Sequence, residues 1–448
     1  MDHDVSGFLC LDVDALVRHG VRVANDERLR QQMSSRAEER RIAFESAVFD
    51  GHVGRHAQEP LRWIATPPRR GREHHMRFLI LDYDYVEFLD WLFAQHPRLV
   101  KQAYEEQMRV RMGALFGLAD FYSSNLRKLG HEAYDVRPVD EPLQRRWARE
   151  HGTSVSPPSS WEFRWRRRIV PWWSAVRNRK WVHEVVAAQI KHYKPDVLLN
   201  QTMDCIRSSF LKEMKSSVRL LVGQIASPLP RDEDFSVYDL IISSLPNQVN
   251  HFRGLGVASE LHRLGFEPSV LPKLKKSQPR IPISFAGGLS PAHQRRLGLL
   301  EHVCLHVDAK VWTGDVTGLA QESSIRNRYM GNAWGIEMYE IMKASQMTLN
   351  CHIDVAESYA NNQRLFEATG VGTLLVTDMK QNLHEMFEPG KEVVTYRTPE
   401  ECVEVMKYYL EHVDEGEAIA RAGHERTLRE HTYYRRMQEL LAILRKYL

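Results

Sequence analysis

Short apolar runs separated by amphipathic stretches recur along most of the chain. Met76-Arg-Phe-Leu-Ile-Leu-Asp82, Lys194-Pro-Asp-Val-Leu-Leu-Asn200, Val218-Arg-Leu-Leu-Val-Gly223 and Tyr238-Asp-Leu-Ile-Ile-Ser-Ser244 each hold a near-continuous apolar run. A strand buried on both faces of a parallel sheet requires that pattern. Residues 100–129 read as one long helix stopped by Gly130, residues 132–136 as the next strand, and residues 181–191 as a further helix. Strands alternating with helices predict a doubly wound α/β sheet whose ligand loops follow the strand C-termini. Here those loops are Gln201-Thr-Met-Asp204, Gln224-Ile-Ala-Ser-Pro228 and Ser244-Leu-Pro-Asn247.

The pattern breaks in the Pro- and Lys-rich residues 266–280, an interdomain linker by composition. It resumes at Ile283-Ser-Phe-Ala-Gly-Gly-Leu-Ser-Pro-Ala-His293: a strand, Gly287 and Gly288, then a helix with Ser290 as cap and Pro291 at its first position. Glycines there let the backbone approach a phosphate. The spacing is not that of a dinucleotide-binding fingerprint. Further on, Asn350-Cys-His-Ile-Asp-Val-Ala-Glu-Ser-Tyr-Ala-Asn-Asn-Gln-Arg-Leu-Phe-Glu-Ala-Thr-Gly370 reads as a strand end, a polar loop, and a helix from about Asn361 to Gly370. A helix opening on Asn361 and Asn362 turns unpaired N–H groups and its dipole toward the loop, with Arg364 and Glu367 in the next turns. Such a terminus suits an anion. Thr398-Pro-Glu-Glu401 is a capping box for the following helix, and the chain ends in charged helical sequence.

Composition narrows the possibilities. A chain of 448 residues suggests two domains plus extensions, and 43% hydrophobic residues suffice to bury both. We divide it into a helical extension and linker (1–75), a first Rossmann-like domain (76–272), a second (281–425) and a C-terminal helix closing the cleft between them (426–448). The net charge of +3 argues against a dedicated nucleic-acid binder. Five scattered cysteines with no C-x-x-C pair point to a reducing compartment, so a cytoplasmic location is expected. No apolar run approaches the roughly 18 residues that span a bilayer. The oddest local composition is residues 161–174, where Trp161, Trp165, Trp172 and Trp173 mingle with Arg164, Arg166, Arg167 and Arg168. These form either a surface for a lipid-linked acceptor or the inner membrane face, or tryptophans packed on the sheet beneath solvated arginines.

The run Asn362-Gln-Arg-Leu-Phe-Glu-Ala-Thr-Gly370, with Gly372-Thr-Leu-Leu-Val-Thr-Asp378, Phe387-Glu-Pro-Gly-Lys-Glu-Val393 and Arg429-Glu-His-Thr-Tyr433, resembles the C-terminal domain of CgeB-like (spore maturation protein type) glycosyltransferases. Ser284-Phe-Ala-Gly-Gly-Leu-Ser-Pro291 is similar to the start of that domain. The resemblance implies the GT-B fold, two Rossmann-like domains facing a cleft, with the acceptor on the first and a nucleotide-sugar donor on the second. It implies no cofactor and no required metal, and a glycan, lipid-linked or protein acceptor. By the same resemblance Glu367 would accept hydrogen bonds from ribose hydroxyls. Related enzymes carry a further glutamate where this chain has Tyr359, and an Arg and Lys near Gly288 and His293.

Donor binding is therefore expected from Gly287, Gly288, Arg295, Asn350, Asn361, Asn362, Arg364 and Glu367, with Arg364, Arg295 and Arg296 as sources of phosphate charge. For the base that an inverting transfer needs, Asp204 at a strand end is the candidate, and His352 is a second catalytic candidate in the donor loop. Two other activities fit the same reading: a sugar-nucleotide epimerase, or a non-catalytic nucleotide-sugar-binding scaffold.

Overall fold

The computed structural model describes residues 75–448 apart from 158, 167–169, 178, 276–279, 290–293 and 315, and only the backbone of 159–166 and 170–177. The expected N-terminal extension, Ser290, Pro291 and His293 thus lie outside the described residues.

The first lobe runs β1 (Arg77–Leu81), α1 (Val86–Gln95), α2 (Tyr104–Gly113), α3 (Phe121–Lys128), β2 (Glu132–Val136), α4 (Glu141–Glu150), the hairpin strands β3 (Ser159–Arg166) and β4 (Val170–Arg177), α5 (Lys180–Tyr193), β5 (Val197–Asn200), α6 (Ser208–Met214), β6 (Leu220–Gln224), β7 (Leu240–Ser243), α7 (Pro246–Gly254) and β8 (Ser259–Leu261). Its sheet is parallel, in the order β2-β1-β5-β6-β7-β8. The winding therefore reverses between β1 and β5. Strands β5 and β7 are buried at every position, which is why their sequences are uninterrupted apolar runs.

The second lobe runs β9 (Ile281–Ala286), α8 (Gln294–His306), β10 (Ala309–Trp312), α9 (Ile336–Ala344), β11 (Ser345–Asn350), α10 (Gln363–Gly370), β12 (Leu374–Asp378), β13 (Val394–Tyr396), α11 (Pro399–Glu411), α12 (Val413–Glu430) and α13 (Tyr433–Leu444). Its parallel sheet has the order β10-β9-β11-β12-β13, with the reversal between β9 and β11.

Two sequence expectations change. The single helix over 100–129 is broken after Gly113, where Leu115, Gly117 and Ala119 take positive φ. That loop receives the second lobe. The Ile336 N–H donates to the Ala114 carbonyl at 3.0 Å, and Trp334 meets Phe116 edge to face at 4.9 Å. At Gly335, φ is +55° and a Cβ would lie 1.9 Å from the Ala114 carbonyl oxygen, so the approach needs glycine.

The expected closing helix is instead two helices, α12 ending at Glu430 and α13 beginning at Tyr433. At the break, backbone pairing with Phe266 replaces helical bonds: Phe266 N donates to His431 O at 2.8 Å and Tyr433 N to Phe266 O at 2.9 Å. Helix α13 then packs on α3 of the first lobe. Residues 161–174 lie in the β3–β4 hairpin, whose register sets Phe163 opposite Trp173 and Trp165 opposite Pro171.

The C-terminal strand edges of the two sheets meet. Asn361 Nδ2 donates to Ser244 O at 2.7 Å, and Asn247 Nδ2 donates to Val355 O at 3.0 Å. Among the described residues no helix is long and apolar enough to cross a membrane.

Candidate functional site

In an open α/β sheet the ligand crevice lies where the strand order reverses, beyond the strand C-termini. In the second lobe that point is flanked by Ala286-Gly287-Gly288 after β9 and Asn350-Cys351-His352 after β11. Gly287 gives its N–H to Trp312 O at 3.0 Å. Gly288 has open space where a Cβ would stand. Arg296, near the start of α8, spans the crevice: Nη1 donates to Gly288 O at 2.8 Å and Nη2 to Cys351 O at 2.7 Å. It is only 8% exposed, its Nε has no partner, and among the described residues it makes no ion pair, although the ionised Asp378 is near enough to favour its charge. Burial lowers its pKa and nearby Arg364 acts in the same direction. An arginine stays charged regardless.

Arg295 is different. It is exposed, and its nearest carboxylate is Asp354 at 4.0 Å. Successive residues on a helix point about 100° apart, so only one of the pair can face the crevice. The buried phosphate-charge candidate is therefore Arg296.

Helix α10 begins at Gln363, capped by Asn362, whose side chain accepts from Leu365 N at 3.2 Å and donates to Asn350 Oδ1 at 2.8 Å. Asn350 in turn donates to Thr377 Oγ1 at 2.9 Å. These two asparagines fix the helix entrance against the strand ends. Asn361 lies one residue outside the helix and holds the first lobe, while its Oδ1 is buried without a partner.

Arg364 and Glu367 lie side by side on α10. They pair with each other at 2.8 Å, with side chains 13% and 6% exposed, and Arg364 also donates to Ala286 O at 2.8 Å. Burial raises the Glu367 pKa, and Arg364 only partly opposes this. The i,i+3 spacing on one helix face explains the pairing. Glu367 faces Arg364 and Tyr339.

His352 follows β11, and its Nδ1 lies 2.6 Å from Asp378 Oδ1 at the end of β12. Lys380 stands 3.2 Å from the other Asp378 oxygen. Burial alone would raise Asp378, but His352 and Lys380 outweigh it and hold the carboxyl at about 2. The ionised Asp378 orients the imidazole. His352 Nε2 is left buried and without a partner. Thr313 Oγ1, just after β10, is in the same condition.

On the first lobe, Asp204 follows β5, is exposed, and has no hydrogen-bond or ion partner among the described residues. The neighbouring strand end is more structured. Asp82, after β1, accepts from Tyr83 N at 2.8 Å and faces Arg137 Nη1 at 3.1 Å. Arg137 also approaches Asp84, and Arg111 joins Asp84 and Asp140. Three carboxylates against two guanidiniums leave one negative charge in excess. Asp82, at 14% side-chain exposure, is the most accessible of the five. Burial raises its pKa and Asp84 adds to this, with Arg137 opposing. The sequence signal was an aspartate ending an apolar strand at the winding reversal, Leu81-Asp82, flanked by the exposed Tyr83 and Tyr85.

Comparison with known proteins bears on these two edges. Residues 273–442 match the family model described as glycosyl transferase-like. No curated protein matches the chain at a significant level of sequence similarity. Among solved structures, the chain is similar to Anabaena HepE, solved in complex with UDP and glucose, at 13% identity and a TM-score of 0.53, covering 83% of this chain and 100% of that one. A glycosyltransferase from Rickettsia africae aligns at 12% identity and a TM-score of 0.51, covering 84% and 99%. With its two Rossmann-like lobes facing each other across their strand C-termini, this chain has the GT-B fold.

Proposed function

We propose that this protein is a glycosyltransferase that moves a hexosyl or related sugar from a nucleotide-diphosphate donor to a glycan, lipid-linked or protein acceptor. The observation that carries this is Arg296, a buried guanidinium at the β9–β11 reversal that makes no ion pair among the described residues. Around the same strand edge, His352 Nε2, Asn361 Oδ1 and Thr313 Oγ1 are buried without partners. A buried charge is costly unless something compensates it; a diphosphate offers the charge and acceptors for Arg296 Nε and the Thr313 hydroxyl, while sugar hydroxyls offer the donors that Asn361 Oδ1 and His352 Nε2 can accept from.

In this reading the leaving nucleoside diphosphate is stabilised by Arg296 and by the N-terminus of α10, whose first N–H groups precede the first intrahelical bond. These are preorganised charges set where negative charge develops, and they act without a metal. His352, held by Asp378, turns Nε2 toward the donor. Asp82 receives the proton of the acceptor hydroxyl as that oxygen bonds to the anomeric carbon and the diphosphate departs with the bonding pair. Within the class, the run Asn362–Gly370 supports a CgeB-like affiliation. The β3–β4 hairpin, with its tryptophans and arginines, supports peripheral contact with a lipid-linked acceptor at a cytoplasmic membrane face.

The test is a thermal-shift screen of nucleotide sugars followed by transfer assays with and without EDTA. A donor at 100 times its Kd adds about 2.7 kcal/mol of stability. Transfer to an added acceptor, insensitive to EDTA, is expected. Turnover of the nucleotide sugar with no acceptor would indicate epimerisation. Binding without turnover across a broad acceptor panel would indicate a scaffold.

A further inference from the structure

A second cavity, of about 620 Å³, lies at the opposite edge of the second sheet, where β11 and β12 begin with Ser345 and Leu374. Its space exists because small residues face it: Gly416 and Ala420 on α12, Ala344 at the end of α9, and Gly372. Its charge is one-sided. Lys275, Arg280, Lys343 and Arg421 line it with His424, against the single carboxylate of Glu417.

Part of that charge is locally engaged. Lys343 donates to Val371 O at 3.4 Å, and His424 Nδ1 donates to Thr369 O at 3.2 Å, both capping the C-terminus of α10. Lys275 meets Glu340 at 2.9 Å, and Arg280 meets Glu417 at 3.4 Å in an exposed pair that contributes little. Arg421 has no hydrogen-bond or ion partner among the described residues. With His424 neutral and Lys275 and Arg280 paired to Glu340 and Glu417, Lys343 and Arg421 leave an excess of two positive charges around a space large enough for a small molecule. Each capping group keeps further N–H donors: two on Lys343, and Nε2 of His424 when protonated.

We propose that this cavity binds a small, multiply charged phosphate anion, separately from the crevice at Arg296. Lys275 and Arg280 stand just before β9, while Arg421 and His424 stand on α12, so the anion is held between these two groups.

The experiment is calorimetric titration of the full chain with inorganic pyrophosphate at constant ionic strength, repeated for Arg421→Ala, Arg280→Ala and Arg296→Met. Saturable binding is expected, with at least a tenfold weakening in Arg421→Ala and in Arg280→Ala and retention of that binding component in Arg296→Met. Arg421 is exposed and unpartnered, so the melting temperature of its variant should match wild type. Absence of saturable binding overturns the proposal, as does loss of all binding in Arg296→Met with none in Arg421→Ala. Because the readout needs no nucleotide sugar, failure of the glycosyltransferase reading leaves this result intact.

Discussion

Arg296→Met is the substitution that most sharply separates ligand binding from scaffolding. Methionine keeps an unbranched chain and removes the charge and both bridges, to Gly288 O and Cys351 O. Gly288 is exposed, so its carbonyl regains water; Cys351 is buried, so one acceptor is stranded. A stranded buried acceptor costs about 1–3 kcal/mol. Against this, a buried cation with no ion-pair partner leaves the interior, so the free protein should lose no more than about 3 kcal/mol. Binding responds separately. Loss of a charge-assisted bond to a diphosphate removes about 1.5–3 kcal/mol, a weakening of about 10- to 150-fold in Kd. Chemical denaturation gives the first quantity, and calorimetric titration with the nucleoside diphosphate found by screening gives the second. Arg296→Lys keeps the charge but not the fork, and should fall between. Affinity within twofold of wild type in Arg296→Met, with stability reduced, refutes the argument and makes Arg296 a strut between loops.

Three further outcomes are expected. Arg364→Ala strands the buried Glu367 carboxylate and should cost about 3–5 kcal/mol, whereas Arg364→Met with Glu367→Leu should cost clearly less; equal losses by denaturant melts would mean the pair is not coupled. Gly335→Ala puts a Cβ onto Ala114 O at a positive φ that alone costs about 1–2 kcal/mol, so the Ile336 amide should exchange with solvent much faster, and unchanged protection would contradict the packing. His262 and His431, at the crossing of the chain into α13, are held by burial at about 4. Arg436 Nη2 donates to His431 Nδ1, which fixes the neutral tautomer. The unfolded histidines protonate first as pH falls below about 6.5. Stability should therefore drop between about pH 6.5 and 4 by up to about 3 kcal/mol per histidine, and the drop should shrink in His431→Gln. A stability profile flat over that window would exclude the linkage.

What the sequence determined by itself is whatever depends on near neighbours. Continuous apolar runs marked β1, β5, β6 and β7 because a strand covered on both faces has no polar side to display. Asn362 as a cap and Gly370 as a stop marked α10, because capping is decided within one turn. The pairing of Arg364 with Glu367 was also within reach, since residues three apart share a helix face. Only the tertiary structure could decide among groups distant in sequence. It chose Arg296 over Arg295 by bringing Gly288 and Cys351 to one side of α8. It joined His352 to Asp378 across neighbouring strands, and set Asp82 against Arg137 at the end of β1. It also broke the helix after Gly113 to admit Trp334 and Gly335, residues more than two hundred positions away. Periodicity records which face of an element is buried, and carries no information about which other element buries it.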